Sequence, residues 1–264
     1  MFRAAPPTWL DAAERPLDTD NLRLLLDNRI GAIRIPGFAT PDECRRFAAA
    51  ARAGRMKYYS VGSRIGYIGL AQYEYRWNRP KSDYFRDVDG AQADLQAVLD
   101  RSFDAVARLI GLLQAVWPHS VGRARETAGE YFAGIVRSTC EPIDLHVDWA
   151  PLNSPAYAIA HIDGQLGWNF FAEELESGGW TTVHNAPWSP QAAPGEIPRS
   201  YGLDRAIVDG APRLSYRPTA GDVVLFNSRN PHEVAGGTAA PGGSRISIGS
   251  FVGRMPGGQL VLWS

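Results

Sequence analysis

The sequence predicts a mainly β chain, a sandwich or jelly-roll barrel with helices along its outside. Three observations carry the prediction. From about residue 131 onward, short apolar stretches are separated by Gly, Pro and Asn, as in an antiparallel all-β fold. No strand–helix–strand alternation interrupts them, which argues against a parallel α/β sheet. Helical spacing of apolar residues is confined to residues 1–130.

Taken in order, residues 18–28 carry Leu22, Leu24, Leu25 and Leu26 as a short amphipathic helix, and residues 31–36 follow as a strand. Thr40-Pro41-Asp42-Glu43 has the form of a capping box with Pro at the first helical position, so a helix should run through residues 44–52. Residues 58–77, rich in Tyr, Gly and Ile, read as a strand pair or a structured loop. Leu95, Val98, Leu99, Phe103, Val106, Ile110 and Leu113 keep helical spacing over 90–117 and predict one long helix lying on a sheet. Strands are then expected at 131–139, 143–148, 156–162, 166–172, 179–184, 214–218, 222–227, 233–234, 245–252 and 260–263. Between 188 and 206, Pro190, Pro194, Gly195 and Pro198 break the rhythm. A loop of that length is commonly a lid over a site. With no internal repeat, residues 1–264 read as a single domain, a mainly helical portion 1–130 packed on a β core 131–264.

Composition narrows the function. Lys and Arg total 27 against 28 Asp and Glu, a net charge of −1, which gives no general pull toward nucleic acid or an anionic membrane. A small-molecule partner is expected. Cys44 and Cys140 are the only cysteines, too few for a disulfide framework, so a reducing cytoplasm is the default. The longest apolar run, residues 106–117, is broken by Arg108 and Gln114, so neither a membrane span nor an export signal is expected.

The chemistry concentrates in His146-Val147-Asp148, answered far downstream by His232. Residues two apart on a strand share a face, so His146 and Asp148 can bind one ion from a single strand end. His232, in Asn230-Pro231-His232, follows the expected strand at 222–227 and supplies a third ligand. Two imidazoles and one carboxylate on one face of an octahedron suit non-haem Fe(II), with positions left for a cosubstrate and O2. Zinc uses the same donors, but zincins set both histidines on one helix as His-Glu-x-x-His, which is absent here. His161-Ile162-Asp163 repeats the pattern, yet Asp163-Gly164 reads as a hairpin turn and makes it the weaker pair. His119 reads as a helix-end or surface residue, and His184 as a satisfied strand residue or a pocket wall.

Arg245 and Ser247 share a strand face. A guanidinium fork matches a carboxylate in two-point geometry, and a hydroxyl two residues on adds a donor. Together they suit the far carboxylate of a 2-oxoacid, 2-oxoglutarate, whose other end chelates the iron.

Five segments carry a resemblance: His146-Val147-Asp148-Trp149-Ala150-Pro151, Gln165-Leu166-Gly167-Trp168-Asn169-Phe170-Phe171, Glu176-Ser177-Gly178-Gly179, Phe226-Asn227-Ser228-Arg229-Asn230-Pro231-His232, and Arg245-Ile246-Ser247 on to Leu262-Trp263. They resemble the iron and 2-oxoglutarate dependent oxygenases, in the branch of hydroxylases of free or N-substituted amino acids and related radical halogenases. The resemblance implies a double-stranded β-helix (jelly-roll, cupin-like) core, Fe(II) on His146, Asp148 and His232, and 2-oxoglutarate on Arg245. In the halogenases of this branch the carboxylate position is Gly or Ala, which admits chloride. Asp148 therefore implies a hydroxylase, with desaturation or epimerisation as variants of the same ligand set.

For the substrate, Tyr73-Glu74-Tyr75-Arg76-Trp77 falls where relatives carry a loop over the metal, and Arg76 can pair with a carboxylate there. An ion pair with Glu74 accounts for Arg76 equally well. Arg137 and Trp263 join the candidates by position. The substrate is a free or derivatised amino acid, a carrier-tethered aminoacyl group or an alkaloid. The competing class is a cupin-type isomerase or binding protein whose metal is structural or a Lewis acid.

Overall fold

Alternation along the strand Gly164–Glu173 sorts the core into two sides. The computed structural model, which describes residues 6–59, 65–76, 79–190, 193 and 196–264, sets this strand inside a ten-stranded sheet. Trp168, Phe170 and Ala172 join a large apolar cluster with the helices. Phe171, on the opposite face, joins Val183, Tyr216, Val224 and Phe226.

The large sheet runs Asp11–Arg15, Ile30–Ile35, Val223–Asn227, Gly164–Glu173, Arg245–Arg254, Ile135–Thr139, Gly66–Ile68, Lys57–Tyr58; Leu260–Trp263 also pairs with Arg245–Arg254 and carries Val121–Arg123 on its far side. A second sheet runs Arg213–Tyr216, Thr181–His184, His232–Val234, Ile143–His146, all antiparallel. The smaller cluster draws residues from both sheets, so the two close over a shared interior. This is the jelly-roll that the strand pattern predicts.

The helices back the large sheet. The capping box forms in full: Thr40 Oγ1 accepts from Glu43 N at 3.3 Å while Glu43 Oε2 accepts from Thr40 N at 2.9 Å, and the helix Pro41–Ala53 follows. Arg108 Nη2 donates to Glu43 Oε1 at 2.6 Å and its guanidinium lies 4.1 Å from the Phe103 ring centroid, which ties the helix Ala105–Val116 to the first. Beneath them Phe38, Phe47 and Phe103 pack on Phe170 with centroids 5.4, 5.6 and 5.4 Å away.

The structure departs from the sequence expectations in four places. The single helix over 90–117 is two, Lys81–Leu99 and Ala105–Val116, because the Asp104 side chain accepts from Ala107 N and caps a new start. The apolar spacing survives the break because both helices bury one face in the same cluster. The strand at 156–162 is instead a short turn, Ala158–His161, after the helix Ala150–Asn153; Ala158 N donates to the Glu126 carboxylate at 2.9 Å rather than to a strand neighbour. Residues 131–134 stay outside the strand Ile135–Thr139, since Gly134 sits at φ +104° where a ladder cannot continue. Residues 1–130 are less helical than expected, contributing four strands to the path of the large sheet between Asp11 and Ile68, and a fifth at Val121–Arg123 beside Leu260–Trp263. Of the strand pair or loop read at 58–77, Lys57–Tyr58 and Gly66–Ile68 pair, followed by the turn Gln72–Tyr75; 60–64 and 77 lie outside the described residues.

Two outcomes test this packing. Phe170→Ala should lower unfolding free energy by about 3–5 kcal/mol in a denaturant titration; a loss within error of zero would show that the helices do not depend on it. The Arg108 hydrogen bond holds the Glu43 carboxyl down at about 2. A depressed carboxylate stabilises fully above its unfolded pKa and loses that stabilisation as pH falls toward the folded value. The stability gap between the native chain and Glu43→Gln should therefore be constant near neutrality and close as pH drops from about 4.5 toward 2; a gap independent of pH would contradict the pairing.

Candidate metal centre

His146 ends the strand Ile143–His146 and His232 begins its neighbour His232–Val234, so the two are direct cross-strand partners with ring centroids 4.0 Å apart. Asp148 reaches them by a route other than the shared strand face expected from its spacing. Strand pairing stops at His146; Val147 N donates to Ser200 O at 2.8 Å and Asp148 N to Ser228 O at 2.9 Å. Ser228 Oγ closes on Asp148 O at 3.1 Å. These bonds turn the carboxylate inward, with Oδ2 3.4 Å from His232 Nε2 and 3.8 Å from His146 Nε2. One ligand atom of each residue lies within 4.8 Å of the others, and among the described residues no second group of His, Cys, Asp and Glu gathers so.

The imidazoles are oriented from behind. His146 Nδ1 lies 2.7 Å from Asp144 O and His232 Nδ1 lies 2.9 Å from Asn230 O. A carbonyl only accepts, so both Nδ1 atoms carry the proton and both Nε2 lone pairs face Asp148. Burial, reinforced by His232, lowers the His146 imidazole to about 4, and it stays neutral near pH 7. Burial pushes the Asp148 carboxyl upward, but its interactions with the His232 and His146 rings and the Arg137 guanidinium outweigh it and hold the group below the usual carboxylate range. Two imidazole Nε2 atoms and a carboxylate, all lining one cavity, fit a divalent ion that takes three donors on one face.

A buried amide pair supports the His232 loop. Asn230 Nδ2 donates to Asn28 Oδ1 at 2.5 Å, and Asn28 Nδ2 donates to Thr8 Oγ1 at 3.0 Å. Asn28 holds φ 55°, a left-handed conformation that Asn tolerates better than most side chains. Trp9 Nε1 completes the knot on Asn28 Oδ1 at 3.0 Å.

The competing histidines lie elsewhere. His161 is exposed on its turn, and Asp163 pairs with Arg254 Nε at 2.6 Å. His184 is buried but satisfied by Glu233 at 3.1 Å. His119 is exposed beside Trp117.

A cavity of about 540 Å³ lies between the sheets, and the triad, Arg245, Ser247, Arg137 and Arg76 all line it. At Gly249 on its wall the strands approach so closely that a Cβ would stand 2.4 Å from Trp168 O. Arg245 and Ser247 alternate on one face of Arg245–Arg254; Ser247 lies in register with Phe171 on one side and Arg137 on the other. Arg245 is buried with no carboxylate in ion-pair reach among the described residues. Burial lowers its guanidinium to about 10, still charged at neutral pH. Arg76 packs over the Tyr73 ring, 5.4 Å from its centroid. Trp263 does not line the cavity: its ring is buried against Phe251 and fills the space above Gly253.

Three wall residues escape the motif reading. Tyr201, from the loop expected to act as a lid, forms an isolated bridge with His146 at the cavity mouth. Residues 191–192 and 194–195 of that loop lie outside the described residues. Tyr216 is fully inward on the expected strand at 214–218, and alternation there was the available signal. Glu74, read only as a possible partner of Arg76, faces the cavity itself.

No family model matches the chain. Leucinostatins biosynthesis cluster protein S of Purpureocillium lilacinum is 32% identical over 211 residues, 76% of this chain and 86% of that protein. L-gamma-glutamyl-L-propargylglycine hydroxylase of Streptantibioticus cattleyicolor is 27% identical over 250 residues, 89% of this chain and 88% of that protein. Among solved structures, an N-substituted L-amino acid dioxygenase from Burkholderia ambifaria aligns with a TM-score of 0.59 at 14% identity, covering 93% of this chain and 91% of that one. The non-haem α-ketoglutarate-dependent epimerase SnoN from nogalamycin biosynthesis aligns with a TM-score of 0.52 at 17% identity, covering 91% and 88%. The structural likenesses establish the jelly-roll fold. Sequence identity of 32% across most of both chains carries the kinship beyond fold, and the chain belongs to the iron(II)- and 2-oxoglutarate-dependent oxygenases, non-haem enzymes that use O2 on a small-molecule substrate.

Proposed function

We propose that the chain is a hydroxylase that converts a C–H bond of an amino acid or amino-acid-derived small molecule to C–OH. In the same turnover 2-oxoglutarate and O2 give succinate and CO2, the second oxygen atom entering succinate. The observation that carries this reading is the Asp148 carboxylate, 3.4 and 3.8 Å from two imidazole Nε2 atoms. In this reading His146, Asp148 and His232 hold Fe(II), and Asp148 fills the position at which the resembling halogenases carry Gly or Ala and admit chloride. When bound, the iron with its 2-oxoacid supplies the activation of O2.

The remaining roles fall to the chain's own side chains. Arg245 is a buried cation without a counter-charge among the described residues, a costly arrangement that the far carboxylate of 2-oxoglutarate relieves. Ser247, on the same face, adds a hydroxyl donor to that carboxylate. Tyr201 roofs His146 and keeps bulk water from the ligand face. The N-terminal strands share the large sheet with the core, which supports reading residues 1–264 as one oxygenase domain. Both cysteines are free, in keeping with a cytoplasmic enzyme, and no helix among the described residues is long and apolar enough to cross a membrane. The hydroxylase and the amino acid dioxygenase among the relatives support the substrate class.

Two measurements test the assignment. Under anaerobic conditions, Fe(II) plus 2-oxoglutarate should produce a weak visible charge-transfer band that Asp148→Ala and His232→Ala each abolish; an unchanged band in both variants would refute the ligand set, and tightly held zinc without 2-oxoglutarate affinity would favour a cupin-type protein. Arg245→Gln should raise the KM for 2-oxoglutarate by about 100-fold or more, as expected for losing a buried charge-assisted pair, with iron content preserved. A KM within twofold of the native value would remove Arg245 from the cosubstrate site.

A further inference from the structure

Once Arg245 is given to the cosubstrate and Asp148 to the metal, the cavity wall still carries one carboxylate, Glu74, and two guanidiniums, Arg76 and Arg137. Glu74 stands on the turn Gln72–Tyr75, which is anchored by Gln72 N donating to Ser264 O at 2.8 Å and Ser154 Oγ donating to Gln72 Oε1 at 2.7 Å. The carboxylate is half-buried at the cavity wall and makes no hydrogen bond or ion pair among the described residues. The cations behind it are engaged elsewhere: Arg79 with Asp83 and Asp87 at 3.9 and 3.4 Å, and Lys57 with Asp94 at 4.0 Å. Of the two cations, Arg76 packs over the Tyr73 ring; Arg137, held in register between Tyr67 and Ser247, feels Tyr59, Tyr73 and Asp148 but has no carboxylate within ion-pair distance among the described residues.

We propose that Glu74 is a specificity-determining residue that receives a protonated amine of the substrate while Arg137 receives a carboxylate, so that the substrate class is a carboxylic acid carrying a free amine. The inference rests on the function proposed above and sharpens it. Neither group has an ion-pair partner of opposite charge among the described residues, and a partly desolvated charge without one is unfavourable, so each favours a ligand of opposite sign. Burial raises the Glu74 carboxyl above its usual range, with the charges of Arg79, Arg137 and Lys57 acting against it, as befits a group still lacking a close partner. Opposite charges lining one cavity suit a zwitterion better than a singly charged anion. An acylated amine brings no positive charge to Glu74 and leaves it desolvated beneath a neutral amide.

The test uses the full chain with Fe(II) and 2-oxoglutarate under anaerobic conditions. The proteinogenic L-amino acids and a set of L-dipeptides, each free and Nα-acetylated, serve as probes, with Kd read by ligand-observed NMR. The free-amine form of every binder should bind at least tenfold more tightly than its acetylated form. Glu74→Gln should erase that preference, Glu74→Asp should retain part of it, and the 2-oxoglutarate Kd should stay within twofold of native in both. Equal binding of acetylated probes, a preference that survives Glu74→Gln, or no binding of any free-amine probe by a protein that still binds 2-oxoglutarate would each overturn the assignment. Failure of the native chain to bind 2-oxoglutarate would sink the hydroxylase reading instead.

Discussion

The pairing of His146 with His232 across the smaller sheet is the constraint on which the site depends. Neither ring is placed by its own rotamer alone. Each is pinned through Nδ1 to a carbonyl two residues upstream, so strand geometry and tautomer choice are one interaction. The smaller sheet keeps this register only while its inner face packs on the larger one through Val183, Tyr216, Phe171 and Phe226. The helices, remote from the site, enter the same chain of dependence by holding the outer face of the large sheet through Phe170. Core packing and ligand geometry are thus linked by the alternation of single strands, with Phe170 on one side and Phe171 on the other.

Much of this was legible in the sequence because strands alternate and metals demand particular donors. The β architecture and the capping box at Thr40 follow from local rules, and the donor types of His146, Asp148 and His232 mark them as a candidate metal set. Other features were hidden for physical reasons. Asp104 restarts a helix without disturbing its apolar spacing, so periodicity alone sees one helix where there are two. The segment around Tyr157 alternates like a strand, but Ala158 N donates to Glu126 while Tyr157 N and Ala160 N donate to the carbonyls of Ser154 and Tyr157. Asp148 reaches the cluster through loop bonds from Ser200 and Ser228, and no spacing rule anticipates such partners. Trp263 was a reasonable pocket candidate by position, yet the space over Gly253 takes its ring into the core.

The cavity separates its charges by structural layer. Arg137 and Arg245 come from neighbouring strands of the large sheet, the metal-facing donors from the smaller sheet and the segment that follows it, and Glu74 from a turn lashed to Ser264. The sheet thus carries Arg137 and Arg245, while the turn brings Glu74 with Arg76 at its end. Substrate preference in such a layout can change by substitution on the turn without disturbing strand register, whereas a change at Arg137 or Arg245 acts on the sheet itself.

The amide knot between Asn28 and Asn230 has a consequence for the order in which the molecule is built. Asn28 leaves the ribosome long before Asn230, and the carbonyl that orients His232 belongs to the later residue. A nascent chain that has exposed Asn28, or even His146, lacks both the second imidazole and the loop to hold it. Contacts of such long sequence separation form late in folding. If iron sits on His146, Asp148 and His232 as proposed, the site is completed only when these distant segments have closed on one another, and a partly synthesised chain carries no assembled site with which to damage itself.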